Sequence, residues 1–166
     1  MKMTNTLDET NVNSIQPAFA NNYDGLRQAC QMLETFVGKQ ELTTLRENFS
    51  GEDGAYFIGV ALELANRIHA MPTTSERAEA DAAPPVAYLR YSNCNAEWYV
   101  VKRSPALGEI QHEAYGFARP YGDGGETSMS NISIEKLLKL GVDLDIYFTP
   151  QPLDDIRSKP EAPPCP

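Results

Sequence analysis

The residues best suited to chemistry in this chain are four carboxylates, Asp123, Glu126, Asp143 and Asp145. The first two stand in the glycine-rich run Gly122-Asp123-Gly124-Gly125-Glu126. The other two are spaced i, i+2 in Val142–Thr149, so that an extended backbone would project both from one face. Oxygen ligands from a loop and a strand are the usual makings of a magnesium or calcium site. If the loop folded over that face, such a site could support phosphodiester chemistry. The plainer reading is an exposed acidic face beside a glycine turn, because ligation demands a convergence that spacing does not supply. The loop has neither G-x-G-x-x-G nor G-x-x-x-x-G-K-[ST], so it is no phosphate cradle. The expectation is no cofactor, with a divalent cation as the alternative.

Other reactive groups are sparse. The two histidines, His69 and His112, have no Gly-x-Ser-x-Gly elbow or other marked nucleophile to complete a triad. Cys30, Cys94 and Cys165 are odd in number and far apart, which fits neither a disulfide framework nor a zinc site and points to a cytoplasmic protein with reduced thiols. Cys94 falls in a turn between Asn93 and Asn95, with no cation close in sequence to activate it. Aromatics are concentrated instead. Trp98, Tyr99 and Tyr121, with Arg90 and Arg119 nearby, form a candidate binding surface, and such a sheet could stack single-stranded bases. Core packing plus a protein-binding surface explains the same residues more simply.

Charge narrows the partners. The 166 residues include 23 acidic and 14 basic ones, a net charge of −9, against the basic surplus that indiscriminate nucleic-acid binding needs. Residues 1–85 carry net −6 and residues 86–166 net −3. The helical half is therefore the better place for a basic partner. No apolar run is long enough to span a membrane, and Met1–Asn13 lacks the apolar stretch of a secretory signal.

The elements that would position these groups can be read from periodicity. Residues 1–21 read as a mobile arm, from which Ile15, Pro17 and Phe19 could dock. From Tyr23, Leu26, Ala29, Cys30, Leu33, Phe36 and Val37 share one helical face, and Gly38 is placed to close that helix in the left-handed conformation. A short helix with Leu42, Leu45 and Phe49 follows. Ser50 and Asp53 resemble a capping box for a third helix carrying Phe57, Val60, Ala61, Leu64, Ile68 and Met71, which Pro72 ends. Residues 72–85 read as a mobile linker. Strands are expected over Val86–Tyr91, Ala96–Arg103 and Ile110–Ala118, as an antiparallel meander. A weak strand near Met129, a short helix capped by Ser133 and closed by Gly141, and a strand over Val142–Thr149 complete the reading. That last strand has the most regular alternation in the chain, and residues 158–166 should be a disordered, proline-rich tail.

The fold class is α+β: N-terminal helices packed on a mainly antiparallel sheet of 4–5 strands, with one short helix before the last strand. One domain is expected over residues 22–157, with a helical half (22–71), the linker and a sheet half (86–157).

The sheet half resembles a known family. Glu97-Trp98-Tyr99, Gly116-Phe117-Ala118, Gly122-Asp123, Ile132-Ser133-Ile134 and Phe148-Thr149-Pro150 follow the pattern of a family of uncharacterised proteins carried by plasmids and phages. The same domain is also found within large polyvalent proteins of mobile elements. The resemblance covers residues 86–156. The chain departs from the pattern at Ser130-Asn131, where relatives tend to have Gly-Tyr. What the resemblance implies is mobile-element context and little chemistry; together with the acidic charge, the expectation is a non-enzymatic accessory protein acting by protein binding in the host cytoplasm. It would bind a host or mobile-element protein, including a nucleic-acid-binding one, in counter-defence of the anti-restriction or anti-CRISPR type or in modulation of replication or transfer. A small metal-dependent enzyme acting on nucleic acid or nucleotides through the four carboxylates is the alternative.

Overall fold

The computed structural model describes residues 17–76, 84–121 and 128–159. The helical half holds α1 (Tyr23–Leu33), α2 (Lys39–Glu47), a 3-10 turn (Asn48–Ser50) and α3 (Gly54–Ala70). The sheet half holds β1 (Val86–Ala87), β2 (Leu89–Ser92), β3 (Ala96–Lys102), β4 (Ala114–Pro120), β5 (Met129–Ile132), α4 (Ile134–Lys139), β6 (Asp143–Leu144), β7 (Gln151–Pro152) and α5 (Leu153–Ser158). The protein is α+β. Its main sheet has the order β5-β4-β3-β2-β6 with every pair antiparallel, and β1 and β7 form a separate two-stranded ribbon.

Both faces of the sheet are covered. On one face, Leu33, Phe36, Leu64 and Ile68 of the helical half are buried against Leu89, Tyr91 and Val100. On the other, Tyr99, Val101 and Phe117 are buried with Phe148, Leu153 and Ile156. Alternation along β3 sends Trp98 and Val100 to the first core and Tyr99 and Val101 to the second, as a pleated strand requires. The halves are joined at depth: the buried Tyr91 hydroxyl donates to the Phe36 carbonyl at 2.7 Å.

Gly116 lies opposite Val100. A Cβ there would stand 2.1 Å from the Tyr99 carbonyl oxygen, so only glycine lets β3 and β4 approach this closely.

Several sequence expectations need correction. The helix begun at Tyr23 ends at Leu33, and Gly38 has φ −58° and is the N-cap of α2 rather than a left-handed closure. Phe36 and Val37 are buried through the connecting turn. Ser50 sits in the 3-10 turn, and Asp53, the N-cap of α3, makes no side-chain capping bond. The third strand starts at Ala114, because the preceding segment is held by the buried Gln111 side chain. Its Oε1 accepts from the Ser104 N–H, and its Nε2 donates to the carbonyls of Ala106 and Glu109. The first strand is split at Tyr88, so that Ala87 faces the second core while Leu89 and Tyr91 face the first.

The largest correction concerns Val142–Thr149. Only Asp143–Leu144 pair, with Ser92 and Tyr91. The chain then turns: Asp145 Oδ1 accepts from the Tyr147 N–H, and the Phe148 N–H donates to the Asp145 carbonyl. An aspartate that captures the backbone two residues on favours a turn over a strand. Val142, Leu144 and Phe148 are still buried, so the apolar rhythm survives without the pairing. At the C-terminal end, Leu153 and Ile156 of α5 are buried, and Ser158, expected in the tail, closes that helix. Residues 160–166 lie outside the described residues.

Other expectations match. Ser133 is the N-cap of α4 and accepts from the Lys136 N–H, and Gly141 has φ +69°. Phe19 of the expected arm packs against the first core, and its N–H donates to Asn66 Oδ1 at 3.0 Å. The linker, expected to be mobile from residue 72, is instead anchored at its start: the Arg103 N–H donates to the Pro72 carbonyl and the Thr74 N–H to the Arg103 carbonyl. The Arg103 side chain donates to the carbonyls of Ile68 and His69, which satisfies the end of α3. Residues 77–83 lie outside the described residues. No helix among the described residues is long and apolar enough to cross a membrane.

Candidate functional site

Among the described residues, the sequence-derived candidates do not gather into one site. Asp123 and Glu126 lie outside the described residues. Asp143 and Asp145 are separated in role by the turn. The Asp145 carboxylate accepts from Arg90 Nη1 at 3.1 Å, whereas Asp143 is exposed among the residues lining a cleft. Among the described residues, no three His, Cys, Asp or Glu side chains converge as a metal site would require.

Of the aromatic and basic candidates, Arg90, Arg119, Tyr99 and Tyr121 meet around Glu97 in a polar knot, in which Arg119 bonds α5. Glu97 and Arg119 are cross-strand partners on β3 and β4, and Arg90 lies on β2 beside them. Glu97 is 3% exposed and Arg119 5%, so their charges must be balanced locally. Arg90 donates to Glu97 Oε1 through Nε at 3.1 Å and again through Nη2. The Tyr99 hydroxyl donates to Glu97 Oε2 at 3.0 Å, and Arg119 donates to the Ile156 carbonyl at the end of α5. Burial opposes the charge on Arg90, but Glu97 and Asp145 outweigh it and raise its pKa. Burial, then the Glu97 charge, push the Tyr99 phenol up to about 12. Half-buried Tyr121 is raised by the same two causes.

Arg90, Arg119 and Tyr99 are thus committed to internal partners, and Tyr99 and Arg119 are buried rather than displayed. Trp98 is half-buried against the first core. A small cavity of about 260 Å³ adjoins the knot, lined by Arg90, Glu97, Arg119 and Lys159 among others.

His69 is exposed and its ring meets Phe19 edge-on at 6.0 Å. His112 Nδ1 stands 3.1 Å from Glu135 Oε2 on the surface. Cys30 is buried in α1, and Cys94 is exposed in the β2–β3 turn. Cys165 lies outside the described residues.

The feature that sequence reasoning missed is a cleft of about 630 Å³ where the two halves meet. It opens between the N-terminal end of α2, the start of α3 and the chain from α4 through β6. Val37, Leu45, Phe57, Leu138, Val142 and Ile146 supply apolar walls, and Glu41 and Asp143 bring negative charge. This volume lies within the usual range for ligand pockets.

Glu41 is the unusual residue in it. It stands three positions after the Gly38 N-cap, from where a glutamate reaches back toward the helix start. Its Oε2 is nonetheless buried and has no hydrogen-bond partner among the described residues. Burial raises the Glu41 pKa and the Asp143 charge adds to the rise. The backbone of Gly38 and of Leu144 opposes it without giving Oε2 a bond of normal geometry. Lys39 also lines the cleft but makes no ion pair with Glu41 or Asp143.

Of the lining residues, Tyr147 is 57% exposed; Leu140, which falls between the lining residues Leu138 and Gly141 in sequence, is 76% exposed. Tyr56, next to Phe57 in sequence, is 57% exposed. Partial desolvation and the neighbouring Tyr56 phenol raise the Tyr147 pKa. Acidic groups inside an apolar wall, with exposed aromatic and aliphatic residues around it, form a surface that can seat part of another protein.

The chain matches no family model, no curated protein and no solved structure.

Proposed function

We propose that this protein is a binding module that docks another protein through the cleft between α2 and the α4–β6 segment. The observation that carries this reading is a cleft of about 630 Å³ whose lining includes the exposed Tyr147, with the exposed Leu140 next in the chain to the lining residue Gly141. Exposed apolar groups clustered around a concavity mark interaction sites, whereas the same groups scattered singly do not.

The charge balance agrees, because residues 1–85 carry net −6 and two carboxylates line the cleft. An acidic surface favours encounter with a basic partner and repels nucleic acid. A host protein with a nucleic-acid-binding groove has that complementary chemistry. The resemblance of residues 86–156 to mobile-element proteins supports a role as an accessory protein in the host cytoplasm. There it would act in counter-defence of the anti-restriction or anti-CRISPR type, or on replication or transfer.

The test uses the full chain as bait in host lysate at physiological salt, beside Leu140→Asp. Proteins retained by the wild type are identified, purified and titrated against both baits by calorimetry. Leu140 is exposed, so the substitution should leave stability within about 0.5 kcal/mol. Docking through the cleft predicts a specific partner whose affinity falls at least tenfold with the variant, about 1.4 kcal/mol. Equal affinity for both baits, or no partner at all, would sink the reading.

A further inference from the structure

The cavity of about 260 Å³ beside the polar knot shares no lining residue with the cleft. Arg90, Arg119 and Lys159 line it against a single carboxylate, Glu97. Both Glu97 oxygens already accept hydrogen bonds, Oε1 from Arg90 and Oε2 from Tyr99. The cations are less fully used. A guanidinium carries five N–H groups, so internal partners need not exhaust it. Arg119 is 5% exposed and its Nη2 donates to the Ile156 carbonyl. Its Nη1 reaches Glu97 Oε2 only at 3.9 Å, too far for a hydrogen bond. Lys159 is exposed, donates to Gln151 Oε1 at 2.7 Å and forms no ion pair among the described residues. Asp145 lies outside the lining and takes one Arg90 N–H. The lining therefore keeps a surplus of positive charge in a chain of net −9.

We infer that this cavity binds a phosphate group, as the free ion or as the terminal group of a small phosphomonoester, held by Arg90, Arg119 and Lys159. The inference is independent of the docking reading of the cleft. Phosphate suits the lining better than carboxylate for two reasons. A phosphomonoester presents three strong acceptor oxygens, one for each cation, and the cations come from three places: β2, β4 and the residue after α5. It also carries a charge of about −1.5 to −2 near neutral pH, where a carboxylate brings a single charge. Arg119 Nη1 would gain the charge-assisted bond that Glu97 is too distant to give. Its burial strengthens that bond, because little water competes. Arg90 is held in place by Glu97 and Asp145, so little side-chain freedom is lost on binding. Lys159 adds a point charge at the exposed side. The volume falls below the range of about 300–1,000 Å³ usual for larger ligands, which selects a phosphate with few carbons attached.

The experiment titrates the isotopically labelled full chain with sodium phosphate, glycerol 3-phosphate and sodium acetate, with sodium chloride holding ionic strength constant. Amide chemical shifts are followed. Both phosphates should give saturating shifts at Arg90, Arg119, Gln151 and Lys159, and acetate should bind at least about tenfold more weakly. Lys159→Gln changes an exposed side chain, so the fold should tolerate it. It should weaken phosphate binding at least about fivefold, as expected when one charged donor is lost. Lys136→Gln makes the same charge change on exposed α4, away from the lining, and should leave the affinity as it was. Shifts that grow linearly without saturating would mean bulk salt and overturn the inference. Equal binding of acetate overturns it, as does undiminished affinity in Lys159→Gln or an equal loss in Lys136→Gln. Tighter binding of glycerol 3-phosphate than of phosphate would support the inference and assign the site to a monoester. The reverse order would support it and assign the site to the free ion.

Discussion

The Tyr91 hydroxyl donates to the Phe36 carbonyl at 2.7 Å across the join between sheet and helices, with both residues fully buried. Phe36 lies in the turn between α1 and α2, just before the cleft residues Val37 and Gly38, so the bond fixes one wall of the site. Tyr91→Phe keeps the ring and strands the carbonyl, a loss of about 1–3 kcal/mol. Urea unfolding should show a lower midpoint with an unchanged slope. An unchanged midpoint would mean that the carbonyl finds another donor.

Glu97 holds the charge balance beneath α5. Its replacement by alanine leaves Arg119 buried without a carboxylate, and breaking a pair of this kind costs about 3–5 kcal/mol. Arg119 also holds the Ile156 carbonyl, so α5 should loosen. Amide hydrogen exchange in Leu153–Ser158 should accelerate in Glu97→Ala before that of α3 does. Uniform acceleration across both elements would argue against a local role.

The raised pKa of Glu41 makes its contribution to stability depend on pH. A carboxyl that holds its proton more tightly folded than unfolded stabilises the fold at low pH. That contribution is lost as pH rises from the unfolded value, near 4.5, through the higher folded value. Glu41→Gln removes it. The variant should gain on the wild type as pH rises from 4 toward 7, and the gap should close below the unfolded value. Chemical denaturation of both proteins at several pH values measures this, and a constant gap would contradict it.

Gly116→Ala should be severe for its size. The added methyl would meet the Tyr99 carbonyl at 2.1 Å and Ile132 Cδ1 at 2.9 Å, forcing β3 and β4 apart in the middle of the sheet. Overpacking of this kind costs about 1–3 kcal/mol or more, read as a fall in melting temperature. An equal effect from Gly59→Ala, where the space is open, would point to a general glycine effect instead.

What was legible in the sequence depended on how far each signal reached along the chain. Ala61, Leu64, Ile68 and Met71 gave α3 by spacing alone, and β3 was plain from Trp98–Val101, because period and burial coincide there. Val142–Phe148 misled for a physical reason: a turn can bury alternate residues as a strand does, and only hydrogen-bond partners tell them apart. α5 was missed because six residues with two apolar ones carry no period. Tyr99 and Arg119 looked like surface groups because nothing local announces that a later helix will cover the second face. Nothing local marks Glu41 among the other charged residues of its helix, and only the return of the chain through Val142–Asp143 brings it into the cleft.

The ribbon of β1 with β7 has a consequence for the order of assembly. Val86 pairs with Pro152, and Leu153 and Ile156 follow directly. During synthesis the helices and the meander emerge first and can bury Leu33, Phe36, Tyr91 and Val100 together. Until β7 and α5 emerge, Tyr99, Val101 and Phe117 stay uncovered, and so does the Glu97–Arg119 pair. The nascent chain therefore passes through a stage with one finished face and one adhesive, partly charged face. The two arginines and the glutamate set into that face keep it from being a purely apolar surface while it waits.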